Sequence, residues 1–370
     1  MGCTRRAAEG TFVVCGQRLT GLADPRVLVV RRDNIGDLVC TTPMFTALRS
    51  RYPNSLLAAL VNTYNRDVLE NHPVVDKVFA YEKAKHRDEK TSLLANYRDR
   101  WRLFRELRRW KFDYAILAGP GYQKNSVRLV QLAGVAKVVG FSDGGSSRGI
   151  DIPVPYGDGA LLHEVEDVFR LLTPLGVLGK PPATLISATG TALDQARRAV
   201  GGLRGSGPLV ALHISARKPS QRWSASRFSE MARLLSGKFG CRVMLLWSPG
   251  EQANARHPGD DDKALSVSAL IGESEHVAYA TESVSALMGA IALSDLFIGA
   301  DGGAMHLAAG LGKPVIALFG DSAPSRWRPW GVPSEILQPP SRDVSDVSVE
   351  DVLRAYGRII GPGRSYGSEG

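Results

Sequence analysis

The sequence predicts an α/β protein built as two similar halves, each a sheet interleaved with helices. Three observations predict it. Short apolar runs alternate with helical patterns from Pro25 to Ile360. The alternation is interrupted once, by a stretch rich in Gly, Pro, Ala and Thr over 177–191, and then restarts. In each half one strand runs into a glycine turn and then a helix, the place where open α/β sheets take their ligands.

Residues 1–24 carry no such pattern and are expected to form an irregular extension. In the first half, 25–176, the runs Val27–Val30, Leu56–Val61, Lys77–Ala80, Tyr114–Ala118 and Val135–Gly140 are short and apolar, as buried parallel strands are. Helical spacing of apolar residues marks Leu38–Arg51, Leu93–Trp110 and Ser126–Ala133 between them, and a further helix around His163–Leu175 closes this half. The second half, 192–345, opens on helix Ala192–Leu203. Strand Leu209–His213, helix Ala225–Phe239 and strand Arg242–Leu246 follow. Helix Val284–Leu293, strand Leu296–Ile298, helix Ala304–Gly310 and strand Val315–Phe319 complete the pattern. A last helix lies within 346–360 and a loose tail occupies 361–370. Two such halves joined by a linker place a ligand cleft between them, at the carboxyl ends of their strands.

At 370 residues the chain has room for two domains with full cores. It is 44% hydrophobic and 22% charged, an ordinary globular balance. No apolar run approaches the roughly 18–20 residues of a membrane-spanning helix. Arg5 and Arg6 are followed by no sustained apolar core, which argues against a secretory signal, and Arg6 occupies the place of the Ser or Thr that myristoylation favours. Cys3, Cys15, Cys40 and Cys241 match no zinc or disulfide spacing, so a reducing cytoplasm is expected.

The net charge of +9 points to an acidic partner. Part of the excess is local, in Lys83, Lys85, Arg87, Lys90, Arg98, Arg100, Arg102, Arg105, Arg108, Arg109 and Lys111. Leu94, Tyr97, Trp101, Phe104 and Leu107 recur there at helical spacing, so an apolar stripe is expected under a basic face. Such a face is either simply solvated or a landing surface for an anionic acceptor or lipid headgroups. Nucleic acid is not expected, because no recognised binding motif accompanies the charge.

Two turns carry the chemistry. After strand Leu296–Ile298 the chain reads Gly299-Ala-Asp-Gly-Gly-Ala-Met-His306, turning through Asp301-Gly302-Gly303 into a small-residue helix. Free N–H groups and the helix dipole make such a turn a site for a phosphate or diphosphate, with Asp301 and His306 on either side. In the first half, strand Val27–Val30 runs into Arg31-Arg32-Asp33-Asn34-Ile35-Gly36-Asp37. Asp37 reads as a helix N-cap, as a general base facing the cleft, or as both.

Three segments together resemble glycosyltransferase family 9, the ADP-heptose:lipopolysaccharide heptosyltransferases and their relatives. They are RRDNIGDLVCTTP at Arg31–Pro43, HISARKPSQRW at His213–Trp223, and GADGGAMHLAAGLGKPVIALFG at Gly299–Gly320, in that order. His163-Glu-Val-Glu166 resembles another recurrent element of the family. The resemblance implies a GT-B fold of two Rossmann-like domains, with the acceptor on the first and a nucleotide sugar on the second. It also implies inverting transfer that needs no metal or other cofactor.

On that resemblance Asp37 corresponds to the presumed base, and Asp301, Gly302, Gly303, Ala304 and His306 to the loop that holds the donor diphosphate. Ser215 matches a hydroxyl position near the donor phosphate. Where the family often carries a lysine two residues before the tryptophan, this chain has Gln221, so Arg217, Lys218 and Arg222 become the candidate cations. Glu251, after a strand, is a candidate partner of the donor ribose, although a helix-start carboxylate looks the same. Asp260-Asp261-Asp262 invites a metal reading but stands in what reads as a charged surface loop.

The expected function is inverting transfer of a heptose or related sugar from an ADP- or similar nucleotide sugar. The expected acceptor is a glycolipid or oligosaccharide of the lipopolysaccharide-core type, reached from the cytoplasmic face of the inner membrane. Alternatives are a family member acting on an O-antigen or natural-product acceptor, a nucleotide-sugar epimerase of the same architecture, and a non-catalytic nucleotide-sugar-binding subunit.

Overall fold

In the computed structural model, residues 24–81, 93–143, 147–157, 162–203, 205–251, 259–272 and 276–361 are described. The first half builds β1 (Val27–Val30), α1 (Ile35–Arg51), β2 (Leu57–Asn62), α2 (Asp67–Glu70), β3 (Lys77–Tyr81) and α3 (Leu93–Trp110). It continues through β4 (Tyr114–Leu117), α4 (Lys124–Leu132), β5 (Lys137–Ser142), β6 (Ile152–Pro155) and α5 (Glu164–Phe169). Its six strands form one sheet in the order β3-β2-β1-β4-β5-β6, and every pairing is parallel.

An irregular stretch then leads to α6 (Gly190–Val200), β7 (Leu209–His213), α7 (Ala225–Phe239), β8 (Arg242–Trp247), α8 (Asp261–Ile271) and β9 (His276–Ala280). After these come α9 (Val284–Leu293), β10 (Leu296–Ala300), α10 (Gly303–Gly310), β11 (Val315–Leu318), α11 (Pro324–Trp327), β12 (Ser334–Leu337) and α12 (Val349–Ile360). This second sheet has the order β12-β11-β10-β7-β8-β9, again parallel throughout.

Counted within each half, both sheets follow the doubly wound order 3-2-1-4-5-6. The order reverses between β1 and β4 in one half and between β7 and β10 in the other. Strands β1, β4, β7, β10 and β11 are buried along their whole length, as strands covered on both faces must be. Ser and Thr side chains accept bonds at the starts of several helices, including Thr189 for α6, Ser224 for α7 and Ser283 for α9.

Several elements depart from the sequence expectations. Strands β6, β9 and β12 stand at sheet edges, where half-burial and prolines erase the apolar run. The expected helix at His163–Leu175 is α5 followed by a tighter 3-10 turn over Arg170–Leu175, which contains Pro174. Trp101, expected in the apolar stripe of α3, is 60% exposed, and the Arg105 guanidinium stacks 4.6 Å over its ring. Leu107 is buried and Phe104 half-buried, so the stripe holds there. The 1–23 part of the extension, Lys83–Lys90 and the 362–370 part of the tail lie outside the described residues. No helix among the described residues is long and apolar enough to cross a membrane.

Candidate functional site

The first turn is held from beneath by an arginine. Arg31 directly follows β1 and is fully buried, a position an ionised side chain occupies only with strong partners. Its guanidinium bonds Asp37 Oδ1 at 2.7 Å and Glu164 Oε1 at 2.8 Å, pairs with Asp33 at 3.1 Å, and donates to the Ala118 carbonyl of the neighbouring strand end. Burial alone pushes its pKa down, but Glu164, Asp37 and Asp33 outweigh it and the charge is retained.

Helix α1 begins at Ile35 rather than Leu38, because Asn34 is the cap and Asp37 the third helical residue. Asp37 Oδ2 accepts from the Asn34 backbone N–H and from Asn34 Nδ2, both at 3.0 Å, completing a capping box. Asp37 is therefore not the N-cap itself. Burial pushes its carboxyl up, but Arg31 and the Asn34 donors prevail and hold it below the ordinary value. It is ionised at neutral pH. Oδ1, bonded to Arg31, keeps a lone pair for a further donor.

Across from this turn lies the start of α10. A Cβ added at Gly36 would come within 2.5 Å of the His306 ring, and one at Gly303 within 3.2 Å of Ile35. The glycines of the two turns thus let the halves meet helix start to helix start. His306 is buried, with Cys40 Sγ 3.7 Å from Nδ1 and the Trp327 ring edge-on at 6.1 Å. Burial lowers its pKa to about 4, with the His163 charge acting the same way, so the ring is neutral. A Cβ at Gly302 would meet nothing within 4 Å. That side of the α10 N-terminus is open, and its first-turn N–H groups have no intrahelical acceptors.

Asp301 directly follows β10, in contact with the central segment. Its Oδ2 accepts from Gln221 Nε2 at 3.1 Å, and the same amide donates to Ser322 Oγ at 3.2 Å. Burial raises the Asp301 carboxyl, against the pull of Ser322, Lys218 and Gln221. Lys218 Nζ bonds Asp321 at 3.2 Å. Gly320 is required here: a Cβ would strike the Ser220 carbonyl at 2.4 Å. Trp223 anchors the segment by donating to the Val347 carbonyl at 2.9 Å.

The structure gathers Ser215, Gln221, Lys218, Asp301, Gly302, Gly303, Ala304 and His306 around the carboxyl ends of β7 and β10. Ser215 Oγ accepts from the Ser248 N–H at 3.0 Å, tying the ends of β7 and β8 together. Arg217 is exposed, and its charge reaches Tyr64 of the first half. Arg222 is placed differently from the expectation: its guanidinium is taken up by the buried carboxylate of Asp260. Glu251 is exposed, and its carbonyl accepts from the Gly259 N–H at 3.0 Å.

Asp260-Asp261-Asp262 is not a free surface loop. Asp260 is buried against Arg222, and Asp261 accepts from Trp247 Nε1 and the Gly250 N–H at the start of α8. Sequence reasoning missed Arg31 and Glu164 as site residues, and it also missed Lys263. Lys263 Nζ donates to the Ile214 carbonyl at 2.9 Å over the Phe228 ring, and burial lowers its pKa to about 8. The adjacent aspartates hid it among apparent surface charges.

Residues 100–356 match the family model "Glycosyltransferase family 9 (heptosyltransferase)". Lipopolysaccharide heptosyltransferase 3 of Escherichia coli is 24% identical over 352 residues, 88% of this chain and 96% of that protein. A glycosyltransferase family 9 crystal structure from Veillonella parvula superposes with a TM-score of 0.76 at 20% identity, covering 93% of this chain and 99% of the other. The E. coli heptosyltransferase WaaC, solved with ADP-2-deoxy-2-fluoro heptose, gives 0.70 at 18% identity over 90% and 99%. The two-sheet architecture is the GT-B fold.

Proposed function

This chain belongs to glycosyltransferase family 9, and we propose that it moves a heptose, or a closely related sugar, from an ADP-sugar onto an acceptor of the lipopolysaccharide-core type. The observation that carries the reading is the meeting of two turns. The ionised Asp37 stands at one helix start, and the open N-terminus of α10 stands at the other, in direct contact through Gly36 and His306. WaaC, a structural neighbour, is described with an ADP-heptose analogue, and the E. coli relative is a lipopolysaccharide heptosyltransferase.

In this reading the diphosphate lies against the N–H groups of Gly302, Gly303 and Ala304, beside Ser215 and Lys218. The acceptor hydroxyl approaches from the first half. Its oxygen bonds to the anomeric carbon while the carbon–phosphate oxygen bond breaks on the opposite face, inverting the centre. The proton passes to Asp37. Arg31 keeps that carboxylate ionised and aimed, and the α10 dipole stabilises charge developing on the departing diphosphate. No residue set in the site is assigned a metal in this scheme. Gln221, a neutral donor to Asp301, stands where relatives often have a cation, and Lys218, Arg217 and Lys263 lie nearby in sequence or space. The exposed Arg98, Arg100, Arg102, Arg105, Arg108 and Arg109 on α3 supply the surface for an anionic acceptor presented at the cytoplasmic membrane face.

A panel of nucleotides tests the donor half directly. A ligand at a hundred times its Kd adds about 2.7 kcal/mol to the folded state, worth about 5 °C or more in melting temperature for a domain of this size. ADP and ADP-heptose should shift the transition that far and UDP or GDP should not. Equal shifts from all three nucleotides would remove the ADP-sugar assignment.

A further inference from the structure

We infer that Glu164 is a positioning residue that latches the donor half onto the catalytic turn, which rests on the reading of Asp37 as the base. Glu164 lies in the first turn of α5, with its side chain 3% exposed. Oε1 accepts from Arg31 Nη2 at 2.8 Å, and Oε2 accepts from Arg326 of the second half. Arg31 Nη2 is the same nitrogen that bonds Asp37. One carboxylate thus joins the arginine that aims the base to an arginine seated one short helix beyond the donor loop.

Arg326 is well placed to report on the donor half. It stands on α11, next to Trp327, whose ring packs on His306. Four residues earlier is Ser322, bonded to Gln221 beside Asp301. Arg326 also bonds Asp167 at 3.2 Å. Beside Glu164, His163 Nε2 lies 2.8 Å from the Arg328 carbonyl, and its ring lies 4.7 Å from that of Trp330. The whole start of α5 is docked on residues 326–330.

The logic is electrostatic. Two carboxylates, the half-buried Asp37 and the buried Glu164, share one guanidinium, an arrangement that holds only while a second cation neutralises Glu164. Drawing Arg326 away leaves Glu164 competing with Asp37 for Arg31. The carboxylate that must sit within hydrogen-bond reach of the acceptor hydroxyl then shifts. Closure of the halves and alignment of the base become one event.

The test uses the full chain with Arg326→Gln, Glu164→Gln and the double variant. Turnover in each single variant should fall about 10- to 100-fold, the cost of displacing a catalytic group by about 1 Å. ADP affinity should stay within about twofold, because Arg326 does not touch the open face of α10 in this scheme. The double variant should be no worse than the weaker single one, since both changes open the same latch. Unchanged turnover in Arg326→Gln, multiplying losses, or losses that merely track a fall in melting temperature would each overturn the inference. Should Glu164→Gln fold poorly, Arg326→Gln, which leaves the Arg31–Glu164 pair intact, still decides. Small-angle scattering without substrates is read alongside. Arg326→Gln should be more expanded than the unaltered chain, and identical curves would overturn the latch. That arm needs no turnover, so an unaltered chain that fails to transfer heptose counts against the proposed function and not against the latch.

Discussion

Replacing Gly36 by alanine separates the closing of the cleft from the stability of its walls. Gly36 lies in the first turn of α1, where alanine is intrinsically favoured over glycine by up to about 1 kcal/mol. The new Cβ would lie 2.5 Å from His306 Cδ2, 3.1 Å from Nε2 and 3.2 Å from Cγ. The ring is 4% exposed and flanked by Cys40 and Trp327, so it has nowhere to swing. Overpacking of this kind costs about 1–3 kcal/mol. The clash exists only while the halves are together, so separation relieves it. The closed-to-open ratio should drop about 5- to 150-fold, the factor that 1–3 kcal/mol commands. Transfer rates measured at saturating donor should fall by up to that factor, while the melting temperature stays level or rises slightly. Turnover equal to the unaltered chain would refute the claim that the observed contact is the working geometry. A large fall in melting temperature with proportional loss of activity would reduce the contact to ordinary core packing.

Four further outcomes are expected. Asp37→Asn keeps an oxygen to accept from Asn34 but removes the base, so turnover should fall about 10²- to 10⁴-fold with nucleotide affinity unchanged; calorimetric titration of ADP checks the second half. Arg222→Ala strands the buried Asp260 carboxylate and should destabilise by about 3 kcal/mol, seen as a lower urea midpoint; an unchanged midpoint with weakened ADP binding would return Arg222 to the donor site. His72, His213 and His306 all have pKa values lowered to about 4 by burial. Their unfolded-state values lie near 6.5, so the unfolded chain binds more protons between those limits. Stability should be full above pH ~6.5 and fall by about 1.4 kcal/mol per pH unit for each histidine down to pH ~4. Urea midpoints that stay flat from pH 7 to pH 5 would contradict the burial of neutral imidazoles. Gln221→Lys places a cation beside Asp301, and should tighten ADP binding by up to about tenfold if the ammonium reaches the diphosphate; weaker binding would show that Asp301 captures it.

Much of the fold could be read from the chain because buried parallel strands are written as short apolar runs. Val27–Val30 and Leu209–His213 coincide with their strands to the residue. Three of the four edge strands were unread for the converse reason: in Ile152-Pro-Val-Pro155 only Val154 is buried, Ser334-Glu-Ile-Leu337 is half-buried throughout, and no residue of His276–Ala280 is buried. The two glycine turns were legible because glycine tolerates close approach, yet what approaches them was not. His306 meets Gly36 from 270 residues away along the chain. Arg31 and Glu164 are separated by 133 residues and Glu164 and Arg326 by 162. No local pattern distinguishes such partners from surface charges until the sheets bring them together. The position of Asp37 was similarly half-read: the capping chemistry was evident, but the backbone had to show that Asn34 is the cap and Asp37 its reciprocal partner.

The central claim is that Asp37 and the α10 turn act on one sugar between them. Release of ADP from ADP-heptose, followed with and without a heptose-deficient lipopolysaccharide-core acceptor, tests it most directly. ADP release should require acceptor, yield acceptor heavier by one heptose, and fall about 10²- to 10⁴-fold in Asp37→Asn. Acceptor-dependent transfer persisting at the unaltered rate in Asp37→Asn would contradict it.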